Sequence, residues 1–300
     1  MNRVVAIHPP IGFSHRGQRE NNEDYVLPPV GKATPDHRLF VVCDGVGGAE
    51  RGELASLIAA ESVVNYFRLN PAEAIDVQYV KSALLHVENA FDQAIAAETA
   101  VDLRGMSTTL TLLSMHQQGI TIAHVGDSRV YHVRAGQILH QTHDHSLVNE
   151  LVRTKQILPE EAAHHPRRNV ITRAIQGSAR PTTGTIYITQ DIAENDYFFL
   201  CTDGVLECLD NDALTRVLAD ERQPDEQKME QLLTHCDGGS RDNYSGYLIR
   251  VAAVAPIERP TPTRDFDDAA ESVGAFHLLL DDRQATAREE GRTWLQRLFS

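Results

Sequence analysis

The sequence has 300 residues with 42 acidic and 28 basic side chains, a formal net charge of −14 at pH 7. That length sits at the upper size of one hydrophobic core, so one large domain with an addition, or two domains, is expected. The acidic balance argues against a nucleic-acid partner, and 42% hydrophobic with 23% charged residues excludes global disorder.

No run approaches the roughly 18 apolar residues of a membrane span. The first residues, MNRVVAIHPPIGFSHRG, hold Arg3 but no apolar stretch of a signal peptide. Cys43, Cys201, Cys208 and Cys236 are too scattered for a disulfide framework, and none forms a CxxC pair. A reduced, cytoplasmic chain is the expectation.

In chain order, runs rich in β-branched and aromatic residues predict strands at 39–43, 109–115, 120–125, 130–134, 186–189, 197–202 and 244–254. Those from 109 to 134 are separated by short turns, as in an antiparallel meander. Helices are predicted at 53–69 and 77–98; in the second, Val80, Leu84, Val87, Phe91 and Ile95 recur at three or four residues and define one buried face. Later helices are predicted at 146–155, 212–220 and 225–236. Pro159 and Pro166 punctuate the stretch between, which reads as a helical flap. The order of elements predicts an α+β layered domain over 1–254, with the flap at about 143–173. Three prolines within 256–262 mark a linker, 255–275. The tail, 276–300, has the pattern of a short helix on which Trp294, Leu295, Leu298 and Phe299 share a face.

The informative feature is a set of carboxylates beside strand ends. Asp44 follows an apolar strand and opens the turn Gly45-Val46-Gly47-Gly48, and Asp203-Gly204 repeats that design. Asp127 lies between Gly126 and Ser128, Asp242 lies just before the last strand, and Glu23-Asp24 forms an adjacent pair. Any one Asp-Gly is most often a turn, and an isolated acidic pair is most often solvated. Together they suggest a cation site, because an aspartate at the end of a buried strand is costly unless it binds a cation or caps a helix. Oxygen donors without histidine suit Mg²⁺ or Mn²⁺ better than zinc.

The ordered series Arg19-x-x-x-Glu23-Asp24, Asp44-Gly45-x-Gly47-Gly48, Gly105-x-Ser107-Thr108-Thr109, Gly126-Asp127-Ser128-Arg129, Asp144-His145-Ser146, Thr172-Arg173-Ala174-Ile175, Thr202-Asp203-Gly204 and Arg241-Asp242-Asn243 resembles the metal-dependent serine/threonine protein phosphatases of the PPM, or type 2C, family, and its bacterial branch most of all. The resemblance runs from about residue 12 to about 254. It implies a four-layer αββα sandwich, two antiparallel β-sheets flanked by helices. It also implies a centre of two Mn²⁺ or Mg²⁺ ions bridged by Asp44, with the Gly45 carbonyl, Asp203 and Asp242 as direct ligands. Glu23 and Asp24 would act largely through waters, and Asp127 with Asp203 would form a third, weaker metal position. Arg19 would hold the substrate phosphate, and a hydroxide between the metals would attack phosphorus in line.

Val46 stands where many eukaryotic members have a histidine that serves as candidate acid for the leaving group. His143, His145, His164 and His165 are the substitutes weighed, and the flap is expected to keep them from the metals. Arg167, Arg168 and Arg173 form a basic patch suited to a phosphopeptide, with Arg173 read as structural and Ser107, Thr108 and Thr109 as orienting backbone. The expected partners are phosphorylated proteins and a cognate serine/threonine kinase, for a chain acting as a monomer. The alternatives are a phosphatase acting on anti-sigma-factor antagonists, a non-catalytic phosphoprotein-binding pseudophosphatase and, disfavoured by the charge, a metal nuclease.

Overall fold

A computed structural model describes residues 3–47, 50–98, 103–162 and 164–256. The expected tail, and the linker past residue 256, lie outside the described residues. In chain order the elements are β1 (Arg3–Ile7), β2 (Ile11–His15), β3 (Asp24–Leu27), β4 (Leu39–Val46), α1 (Glu50–Leu69), α2 (Val77–Ala97), β5 (Ser107–Thr108), β6 (Leu110–His116), β7 (Gly119–Val125), β8 (Arg129–Arg134) and β9 (Gln137–Gln141). They continue with α3 (Leu147–Arg153), α4 (Pro159–Ala162), β10 (Thr185–Thr189), β11 (Tyr197–Cys201), α5 (Asp203–Leu206), α6 (Asn211–Ala219), α7 (Asp225–Cys236) and β12 (Tyr244–Pro256).

The strands form two six-stranded antiparallel sheets. One runs β1-β12-β11-β8-β9 with β2 also on β12; the other runs β10-β7-β6-β4-β3 with β5 on β4. Strand period explains the layers. On β4, Phe40 and Val42 point between the sheets and meet Phe198, Leu200, Ile122 and Tyr247. Val41 and Cys43 point the other way, into Ile58, Val63, Val87 and Phe91 of α1 and α2. On β11, Tyr197, Phe199 and Cys201 turn outward against Leu214, Leu218, Met229 and Leu232 of α6 and α7. Both faces of the central strands are therefore buried, which is why they read as continuous apolar runs. The four-layer αββα expectation holds.

Local chemistry sets the helix starts. Asp76 caps α2 by accepting from the Tyr79 N–H at 2.8 Å, and Asp210 caps α6 through the Ala213 N–H at 2.7 Å. The expected elements are present within a few residues at each end. Four strands of at least four residues, β1, β2, β3 and β9, were absent from the sequence reading. The last strand runs to Pro256, two residues past the expected boundary, because Arg3 and Val4 of β1 pair with Pro256 and Ala255.

Candidate active site

The sheets bring the acidic residues to one end of the sandwich. Asp24 opens β3 and Asp44 lies near the end of β4, and the two are cross-strand partners. Asp127 follows β7 through Gly126, whose φ of +102° is a conformation that favours glycine. Asp203 opens α5 just after β11, while Asp242 precedes the start of β12, the neighbouring strand. A cleft of about 1190 Å³ between this end and the flap is lined by Arg19, Glu23, Asp44, Gly45, Val46, Asp127, Asp203 and Asp242. Asp24 is not among its walls; it is buried beneath the floor, 7% exposed. From the flap, Ser146, Arg168, Asn169 and Ile171 complete the opposite side.

Hydrogen bonds fix each position. The Asp44 N–H donates to Thr109 Oγ1 at 3.0 Å, and its carbonyl accepts from the Thr109 N–H at 2.9 Å and the Thr108 hydroxyl at 2.8 Å. Ser107, Thr108 and Thr109 thus orient backbone, as expected. Asn243 ties three segments together: its Oδ1 accepts from the Glu23 N–H, and its Nδ2 donates to the carbonyls of Arg16 and Asn21, each at 2.8 Å. The Thr202 hydroxyl donates to Asp24 Oδ2 at 2.9 Å. A Cβ at Gly45 would collide with the Gly52 carbonyl in the first turns of α1, and one at Gly204 with the Asn243 carbonyl. Arg19 reaches Asp242 Oδ2 at 2.7 Å, yet its side chain stays 59% exposed toward the cleft.

Charge is crowded here. Burial, reinforced by neighbouring carboxylates, pushes Asp24 up to about 8, Asp127 to about 7 and Asp203 to about 6. Asp44 is raised well above the ordinary range by burial and then by Asp203, Asp24, Asp127 and Asp242. Carboxylates so placed are stable as anions only with a compensating positive charge. Two atoms point to what supplies it: Asp24 Oδ1 and Asp203 Oδ1 are buried and have no hydrogen-bond partner. Among the described residues, no three His, Cys, Asp or Glu side chains close around a point as a cage. Small hard cations are commonly held by one or two carboxylates plus carbonyl and water oxygens, so the orphaned oxygens and the all-oxygen donor set fit divalent cations. The carboxylates that line the cleft, Glu23, Asp44, Asp127, Asp203 and Asp242, are the candidates to hold them.

Among the described residues no histidine lines the cleft. His145 is buried behind it, stacked on His124 with ring centroids 4.5 Å apart, and its Nδ1 accepts from the Gly126 N–H at 3.1 Å. His143, His164 and His165 are likewise absent from the walls. Arg173 donates to the Thr183 carbonyl at 3.3 Å, in keeping with a structural part, whereas Arg168 faces the cleft.

Three supporting groups escaped the sequence reading. In the sequence Thr202, Asn243, Arg129 and Asp144 stand only as motif members, and nothing there pairs Arg129 with Asp144, which the structure joins by two contacts of 2.7 Å. Adjacency of Asn243 to a strand-end aspartate was the available signal; the Arg129–Asp144 pair had none.

The architecture is thus two antiparallel sheets flanked by helices, with strand-end carboxylates gathered in one cleft. Residues 11–235 match the family described as Protein phosphatase 2C, and the chain belongs to that family. The serine/threonine phosphatase stp of Listeria monocytogenes is 31% identical over 216 residues, covering 70% of this chain and 83% of that protein. The crystal structure of the Mycobacterium tuberculosis serine/threonine phosphatase PstP/Ppp is 28% identical, with a TM-score of 0.69, over 83% of this chain and 100% of that one. A structure of the PstP catalytic domain in complex with 2 manganese ions superposes with a TM-score of 0.66 at 28% identity, over 83% and 100% of the two chains.

Proposed function

We propose that this protein is a metal-dependent serine/threonine phosphatase that hydrolyses phosphoserine and phosphothreonine on proteins, opposing a bacterial serine/threonine kinase. The observation that carries the reading is the meeting of Asp44, Asp127, Asp203, Asp242 and Glu23 with the exposed Arg19 in a single cleft. Relatives named as serine/threonine phosphatases, and a similar structure holding 2 manganese ions, support it.

Asp44, Asp203, Asp242 and the Gly45 carbonyl would hold two Mn²⁺ or Mg²⁺ ions, with Glu23 and Asp24 acting through waters and Asp127 with Asp203 offering a third position. Bound cations would lower the pKa of a water and neutralise the phosphate oxygens. The protein's own part is positioning. Arg19, held at its tip by Asp242, offers the rest of its planar fork to two phosphate oxygens. Thr202 holds Asp24, and Asn243 holds the backbone of Glu23, so the carboxylates keep their places without relying on one another.

Among the described residues no cysteine or histidine lines the cleft, and the Ser146 hydroxyl accepts from the Asn149 N–H to cap α3. Direct attack by water on phosphorus, in line with the leaving oxygen, is the reaction that the family likeness and the cation-suited walls support. Val46, 40% exposed at the rim, offers no proton; on this reading the proton for the leaving serine or threonine oxygen comes from water. Among the described residues no helix is long and apolar enough to cross a membrane. The reading extends to action in the cytoplasm as a monomer.

The test uses purified, metal-stripped chain and a phosphothreonine peptide. Release of phosphate that appears with added Mn²⁺ and disappears with chelator is expected. Peptide binding with no turnover at any Mn²⁺ concentration would instead identify a non-catalytic phosphoprotein-binding module.

A further inference from the structure

Asp127 is the middle residue of the turn 126–128 that joins β7 to β8, and it lines the cleft. Both of its neighbours are held by side chains. The Ser128 and Thr109 hydroxyls share a hydrogen bond of 2.8 Å, and the same Thr109 oxygen takes the Asp44 N–H. Gly126 is held twice by His145. The Gly126 N–H donates to the ring Nδ1 at 3.1 Å, and the Gly126 carbonyl accepts from the His145 N–H at 2.9 Å. Metal ligands need placement to within about 0.5 Å, a tolerance that a turn led by the most flexible of residues does not keep by itself.

The hydrogen bonds also fix the state of the ring. A backbone N–H only donates, so Nδ1 carries no proton and the proton of the neutral imidazole sits on Nε2. Nε2 faces the Thr185 hydroxyl of β10 at 2.8 Å, which accepts it. Arg173 Nη1, 3.5 Å from the same nitrogen, has its own acceptor in the Thr183 carbonyl at 3.3 Å. The ring plane is set by His124, stacked at an interplanar angle of 12°, and His124 Nε2 is in turn bonded to the His143 carbonyl at 2.9 Å. Both rings are buried. The backbone of His145 meanwhile closes the base of the flap, its carbonyl accepting from the Thr172 N–H at 2.7 Å.

We infer that His145 is a positioning residue for Asp127: with its proton on Nε2 the ring clamps Gly126, and so sets where the Asp127 carboxylate meets a cation in the cleft. The cation rests on the phosphatase reading above, whereas the clamp rests on the hydrogen bonds alone. The ring lies behind the cleft wall, so it acts through Gly126 and not as an acid toward substrate. One side chain thereby joins three elements: the turn that carries Asp127, the start of β10 at Thr185 and the base of the flap.

Two variants of the full chain separate the ring nitrogens. In His145→Asn the side-chain oxygen stands near the place of Nδ1 and takes the Gly126 N–H, whereas in His145→Gln the amide reaches the place of Nε2 instead. Amide exchange of the metal-free chain over 125–129 is expected to be severalfold faster in His145→Gln and close to parental in His145→Asn. By titration calorimetry, the Mn²⁺ binding that Asp127→Asn removes should weaken by about tenfold in His145→Gln and be kept in His145→Asn. KM for a phosphothreonine peptide should stay near parental in both, because the His145 carbonyl still closes the flap base. Nitrogen NMR of the parent's histidine rings should place the His145 proton on Nε2, and since that spectrum needs no variant, a variant that fails to fold does not shield the inference. A proton on Nδ1, parental exchange in His145→Gln, or equal losses in the two variants overturns it. Parental Mn²⁺ binding in Asp127→Asn overturns it too. A parent that releases no phosphate at any Mn²⁺ concentration sinks the phosphatase reading, while the exchange comparison still decides the clamp.

Discussion

Asn243 makes three hydrogen bonds to backbone groups that belong to the segment carrying Arg19 and Glu23. Asn243→Ala leaves a buried N–H and carbonyl partners unmet, so a loss of about 1–3 kcal/mol in unfolding free energy is expected by urea denaturation. Phosphatase turnover should fall with it, because Glu23 and Arg19 lose their common anchor; unchanged stability and rate would remove Asn243 from the account. His145 gives a second prediction, in pH. Burial, then His124 and Arg173, lower it to about 3, and its Nδ1 lone pair is already taken by the Gly126 N–H. The folded chain therefore keeps His145 neutral while the unfolded chain protonates it near pH 6.5. Its stabilising share is complete above about pH 6.5 and is lost as pH falls toward about 3. Melting temperatures between pH 4 and pH 7, in roughly that linkage range, should fall more steeply in the parent than in His145→Gln; parallel curves would contradict this.

The flap is held at its base by side chains as well as by backbone. Its base is closed where the Thr172 N–H donates to the His145 carbonyl at 2.7 Å and the Leu147 N–H to the Val170 carbonyl at 2.8 Å. Arg129, at the start of β8, grips Asp144 in both contacts and fixes that base to the sheet. Asp144→Asn keeps the size but removes the charge, and a stability loss of about 1–3 kcal/mol is expected in denaturation. The KM for a phosphopeptide should rise severalfold with kcat nearly unchanged; a loss confined to kcat would place Asp144 in the chemistry instead. The elements that sequence exposes and hides divide along the same physical line. β4, β6, β7 and β11 were legible because helices and the opposite sheet bury both their faces, leaving continuous apolar runs. β9 has an exposed, polar edge pattern, and β3 opens on Asp24, whose burial rests on Thr202, 178 residues away. Asp44 and Asp203 were legible for the same local reason, an apolar strand running into Asp-Gly. Asn243 was marked locally only by its place beside Asp242; its bonding role was not legible, since its partners lie about 220 residues distant.

Over the whole molecule, part of the net charge of −14 is concentrated at one cleft, where burial and mutual repulsion raise Asp24, Asp44, Asp127 and Asp203. That cluster opposes folding until a cation binds, so function and stability pull against each other at Asp44. Added Mn²⁺ should raise the melting temperature of the metal-stripped chain, by about 2.7 kcal/mol of stability at a hundredfold excess over Kd. Asp44→Asn should melt at or above the parent without metal and gain little from Mn²⁺; a parent that gains nothing from Mn²⁺ would contradict the reading of the cluster.

The most direct measurement combines Mn²⁺ binding by isothermal titration with phosphate release from a phosphothreonine peptide, on the parent, Asp44→Asn and Asp203→Asn. The account predicts Mn²⁺ binding and turnover together in the parent, and loss of both in each variant while circular dichroism shows the fold intact. Turnover at the parental rate in either variant, or binding without any turnover in the parent, would contradict the claim that this carboxylate cleft is the centre of a metal-dependent phosphatase.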